Sequence, residues 1–159
     1  MQAKLTLLQE ELAGLELAAQ HLDYSITRCA NLSDWMALGG PTLEQLERLE
    51  SLTSRFARLS DLLIQRMFRL IDEIELNGDS TILDRIYRAE KRGWANAANL
   101  IQIRELRNLI ANEYASESMH EIYTTVLSLA PILLASVPKI TDAAHLLLKQ
   151  HLPRIKPEA

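Results

Sequence analysis

Near the start of the chain, leucines and smaller apolar residues return at alternating steps of three and four: Leu5, Leu8, Leu12, Leu15, Ala19, Leu22, Ile26 and Cys29. That period belongs to a helix, and an unbroken seam of this kind packs against neighbouring helices. Gly39-Gly40-Pro41 ends it, because two glycines and a proline break the helical pattern and send the chain back in the opposite direction. A second period opens at Thr42, whose hydroxyl is placed to cap a helix, with Gln45 at the capping-box position three residues on. Leu43, Leu46, Leu49, Leu52, Phe56, Leu59, Leu63, Met67, Leu70, Ile71 and Ile74 carry its core face until Asn77-Gly78 stops it. Two long helices joined by a glycine-rich turn predict an antiparallel pair.

A shorter third helix is predicted over residues 80–92, with Gly93 as its left-handed C-terminal cap. The fourth runs over 96–114 with Ile103, Leu106, Leu109 and Ile110 pointing inward. The fifth begins near Ser118, which with Glu121 forms another capping box, and continues to about Gln150; Pro131 and Pro138 predict a kink or break within it. The expectation is an all-α chain: an up-and-down antiparallel four-helix bundle with an additional short helix, one domain over 1–152 and a tail over 153–159.

Composition agrees with that picture: 5 Gly and 5 Pro leave little punctuation, and 48% hydrophobic with 24% charged residues is the balance of one globular domain. The net charge of −4 argues against a global basic field of the kind that drives non-specific nucleic-acid binding. Locally the balance reverses. Arg85, Arg88, Lys91, Arg92, Arg104 and Arg107 face only Glu90 and Glu105 within 85–107, an excess of four positive charges. This is either a basic patch or a solvated face balanced by acids elsewhere.

Much familiar chemistry is missing. There is no Gly-rich phosphate loop, no HExxH, no EF-hand and no GxSxG elbow. A di-iron bundle needs paired Glu-x-x-His motifs, and Glu117-Ser118-Met119-His120 stands alone. His21, His120, His145 and His151 form no i, i+4 pair, so no metal site and no cofactor are expected; His120, a few residues beyond the 107–114 segment, is kept as a minor candidate for proton transfer. The single Cys29 cannot form an intramolecular disulfide and sits on the apolar seam, where it is expected to be a buried, inert thiol. The N-terminus has no leader-like apolar region, and no apolar run approaches the roughly 18 residues of a membrane span. A cytoplasmic protein without membrane contact is expected.

One segment carries a signal. At about 100° per residue, Arg104, Asn108 and Asn112 align at i, i+4 and i+8, roughly opposite the apolar face of Ile103, Leu106 and Ile110. Arg107 flanks that stripe, and Tyr114, seven residues later, returns to nearly the same face as Arg107. A guanidinium, two carboxamides and a phenol along one edge suit a phosphate or a nucleic-acid backbone.

The run Arg104-Glu105-Leu106-Arg107-Asn108-Leu109-Ile110-Ala111-Asn112-Glu113-Tyr114 resembles the signature helix of HEPN domains, in particular the HepT-like group. That pattern is arginine, a polar residue, a few apolar residues, histidine, any residue and tyrosine. The likeness covers the whole chain in architecture and about a dozen residues in motif. It implies a homodimer whose two motifs form one composite, metal-independent RNase site. Arg107 would hold the scissile phosphate and Asn108 would assist. Tyr114 would be the tyrosine that a partner nucleotidyltransferase of the minimal (MNT) type modifies with AMP, neutralising the toxin.

The departure falls at the proton-transfer position, where Asn112 stands in place of the histidine. An imidazole titrates near neutral pH, whereas a carboxamide only hydrogen-bonds. General acid–base catalysis is worth about 10²–10⁴-fold, so little RNase activity is expected from this site. The resemblance then implies a dimeric component of a toxin–antitoxin type module that binds RNA or an MNT-type nucleotidyltransferase. Two other readings stay open: an active metal-independent endoribonuclease toxin, and a structural helical adaptor in which Arg107 and Asn108 pair with groups across the bundle.

Overall fold

The computed structural model describes residues 1–112 and 116–151, the side chains of 116–118 excepted. The described residues are all-α, with no strand among them. Helix α1 spans Gln2–Arg28, and a short α2, Leu32–Ala37, follows a turn at 29–31. The first helix therefore ends well before Gly39-Gly40-Pro41, and α2 fills the remainder. The α1 seam is buried at Leu5, Leu8, Leu12, Leu15, Leu22 and Cys29, but Ala18 and Ser25 are buried where the pattern put Ala19 and Ile26, which are half-buried. Straight helices drift against an alternating three–four period, so the inward face migrates. Burial of Ser25 is compensated, because its Oγ accepts a hydrogen bond from Arg55 Nη1 at 2.8 Å.

Gly39 and Gly40 adopt φ of 99° and 103°, the left-handed region that turns the chain back into α3, Leu43–Ser60. The Thr42 capping box forms: Gln45 N–H donates to Thr42 Oγ1 at 3.2 Å and Thr42 N–H donates to Gln45 Oε1 at 2.9 Å. Leu43 is exposed rather than inward, since it lies in the first turn, ahead of the buried run that begins at Leu49. From Leu49 to Ile74 the predicted core face is buried.

The long helix is not uniform. Between α3 and α4, Phe68–Ile74, the hydrogen-bonding widens to a π-helical segment, Asp61–Met67. It buries Leu62, Leu63, Ile64 and Met67, a broad face that packs against both α1 and α5. Segments of this kind are rare and recur at functional sites. After α4 the chain turns through Leu76, held at φ 66°.

Helix α5, Ile82–Lys91, starts with a second capping box, Thr81 with Asp84, and Gly93 at φ 77° forms the expected left-handed stop. Helix α6, Ala97–Asn112, follows at once. Its free N-terminal amides are met twice: Ala97 N–H donates to Glu90 Oε2 at 2.7 Å, and Asn99 N–H to Asn96 Oδ1 at 3.3 Å. Leu100, Ile103 and Leu106 are buried and Ile110 is half-buried, but Leu109 is 45% exposed, a correction to its expected inward position. Leu109 lies about 120° round the helix from Ile103 and so falls off the buried stripe.

Helix α7 is Ser116–His151. It begins before Ser118, whose cap with Glu121 was expected; that side chain lies outside the described residues, as do Tyr114 and the tail. No break occurs at Pro131 or Pro138, because both prolines are solvent-facing while Val126, Ala130, Leu133, Val137, Ile140 and Ala144 hold both sides of them in one core. Within α7, Met119–His151 is long and apolar enough, by length and composition, to cross a membrane, contrary to the expectation. Residues 122–138 carry no charge, and one face of that run is core: Ile122, Tyr123, Val126, Leu129, Ala130 and Leu133 are buried in the cluster shared with α1, α3 and α6.

Candidate functional site

Helix α6 positions the motif residues, and the structure gives them unequal surroundings. Arg107 is half-buried and makes a bidentate pair with Asp61 at the start of the π-helical segment: Nε donates to Oδ1 at 2.7 Å and Nη2 to Oδ2 at 2.9 Å. Those hydrogen bonds raise the guanidinium's pKa above its usual value, more than burial lowers it. The fork that would grip a phosphate is thus already filled by a carboxylate, leaving Arg107 the remaining N–H groups on its outer edge.

Asn108 and Asn112 are exposed. Asn112 Nδ2 donates to the Asn108 carbonyl oxygen at 2.9 Å, so its amide folds back on its own helix. Arg104 is half-buried, and its Nε has no hydrogen-bond partner among the described residues. Tyr114 lies outside the described residues. Asn108 and Asn112 stand on the exposed side of α6, whereas Arg104 is half-buried with its Nε shut off from solvent and Arg107 turns to Asp61.

Three of the six cations over 85–107 are balanced by acids of the preceding long helix and the turn after it. Arg88 pairs with the buried Asp72, Arg92 pairs with Glu75 at 2.8 Å and lies 4.8 Å over the Trp94 ring, and Arg107 pairs with Asp61. Arg85 is bound to Ser80, through Nε to Oγ at 3.1 Å and Nη2 to the carbonyl oxygen at 2.8 Å. Arg85, Lys91 and Arg104 belong to no ion pair among the described residues, so acids neutralise three of the six cations.

Sequence reasoning missed Asp61. It stands 46 residues from Arg107 on another helix, and no local motif marks it. The π-helical segment that presents it was equally silent, since Leu62, Leu63 and Ile64 read as an ordinary apolar run.

Among the described residues no group of His, Cys, Asp or Glu is placed to hold a metal ion. His120 is exposed, near the start of α7. Burial pushes the Cys29 thiol up from its ordinary value, against the opposing pull of Arg48 and Arg28, which disfavours the reactive thiolate. On the other flank of α6, Gln102, Glu105, Leu106 and Leu109 line an open groove of about 670 Å³ with α7.

No family model, curated protein or solved structure matches the chain.

Proposed function

We propose that this chain is a HepT-like HEPN protein of a toxin–antitoxin type module, acting as a homodimer that binds a minimal (MNT-type) nucleotidyltransferase and does not cut RNA efficiently. The observation that carries the reading is Asn112. It occupies the place where the resembling motif has its proton-transfer histidine, and one of its amide N–H groups is donated to the Asn108 carbonyl oxygen. Arg107, the phosphate ligand of that motif, is paired with Asp61 at the half-exposed edge, so a phosphate must displace that carboxylate before the arginine can grip it.

A protein partner is favoured over RNA by charge. The chain carries −4 overall, and three of the six cations over 85–107 are in ion pairs. With this reading go the up-and-down antiparallel bundle, whose long members are α1, the α3–α4 helix, α6 and α7, and a cytoplasmic setting in which α7 serves as a core helix.

The test is to purify the chain with the MNT-type nucleotidyltransferase of its own genomic neighbourhood and to add ATP. The expected result is co-elution as a complex larger than either component, and an AMP adduct on Tyr114 that Tyr114→Phe abolishes. Separate elution at micromolar concentration without any adduct contradicts the reading.

A further inference from the structure

The groove between α6 and α7 has an apolar floor and an acidic rim. Leu106, Ile122 and Leu129 lie at its base, Leu109 stands half-exposed beside them, and Gln102, Thr125 and Ser128 complete the walls. Glu105 and Glu121 flank it from the two helices. Both are exposed, neither belongs to an ion pair among the described residues, and no lysine or arginine lines the groove.

An exposed leucine beside a concave apolar floor favours an occupant that brings apolar side chains. The two carboxylates, in no ion pair among the described residues, select its charge: they repel a phosphate backbone and attract cations. The shape selects further. The α7 wall over 121–129 is about 12 Å long at 1.5 Å per residue, two turns of a helix laid alongside. Such a helix would offer apolar residues at i, i+4 and i+7 to the floor and basic residues on its flanks to Glu105 and Glu121. A second copy of this chain fits poorly, because a two-fold contact would set this acidic rim against itself.

We infer that the α6–α7 groove is a docking site for a basic amphipathic helix of a partner protein, anchored on Leu106, Leu109, Ile122 and Leu129 and flanked by Glu105 and Glu121. The inference goes beyond the nucleotidyltransferase reading. It rests on a face of α6 that Arg107 does not line, and it stands whichever protein supplies the helix.

The test uses the full chain, isotope-labelled for NMR, with two synthetic helical peptides. Both carry leucines at i, i+4 and i+7; one has lysines on its flanks and the other glutamates. The lysine peptide is expected to bind saturably and to shift amide resonances over 102–109 and 121–129. Glu105→Lys with Glu121→Lys should weaken it about tenfold, Leu109→Asp should also weaken it, and reversing Glu10 and Glu16 on exposed positions of α1 should not. The glutamate peptide should not saturate. Failure of the lysine peptide to bind, binding that survives the double reversal, equal binding of the glutamate peptide, or shifts that map elsewhere would each overturn the inference. So would a self-dimer that dissociates in Leu109→Asp, since a second copy would then cover the groove.

Discussion

Two arginine–aspartate pairs tie the second long helix to the helices after it, and they differ in how much water they see. The Asp72 side chain is 4% exposed and that of Arg88 29%, whereas Asp61 and Arg107 are 35% and 34% exposed. Asp72 also accepts a hydrogen bond from Ser80 Oγ, and its backbone carbonyl accepts one from Asn77 N–H, so it fixes the turn between α4 and α5. Asp61 serves Arg107 from the edge of the bundle. A buried carboxylate deprived of its cation cannot be rehydrated cheaply, while a half-exposed pair can exchange partners with water or with an incoming anion. The first pair is therefore architecture. The second leaves an arginine at the motif edge that can be released.

Removing the buried pair's cation should have the largest effect. Arg88→Ala is expected to lower the unfolding free energy by about 3 kcal/mol, read by urea denaturation; a loss below about 1 kcal/mol would erase the distinction between the pairs. Arg107→Ala should cost about 1 kcal/mol or less in the same assay. A larger loss would make Arg107 a structural strut, as the adaptor reading requires.

The exposed carboxylate Asp84 sharpens the contrast from the other side. Hydrogen bonds from the Thr81 backbone N–H and hydroxyl hold its carboxyl below the usual range, so its contribution is present above its unfolded pKa of about 4 and is lost as pH falls through the lower folded value. The melting temperature of Asp84→Ala should therefore lie slightly below that of the natural chain at pH 7 and converge with it near pH 2. A difference that persists in acid would assign the effect to helix propensity instead. Leu109→Ser should have the smallest effect, within about 0.5 kcal/mol, because this leucine is already half in water.

The sequence showed most where structure is local. The caps at Thr42 and Gly93 follow from the chemistry of single turns, and the inward stripes of the long helices follow from period alone. What escaped depends on distant partners or on fine geometry. Ser25 is buried because Arg55, 30 residues away, satisfies its hydroxyl. Asp61 matters because a π-helical segment and α6 bring it to Arg107. The prolines of α7 read as breaks because a local rule cannot see the core that holds both sides of each. For the candidate site, Arg104, Arg107, Asn108 and Asn112 could be placed on α6 from the sequence, but not the carboxylate that occupies the arginine's fork.

That this motif binds without cutting is tested most directly by cleavage of RNA in excess EDTA. The natural chain should cut no faster than Arg107→Ala, and Asn112→His should gain metal-independent activity that Arg107→Ala removes. Cleavage by the natural chain that disappears in Arg107→Ala would contradict the claim and identify the protein as an active endoribonuclease.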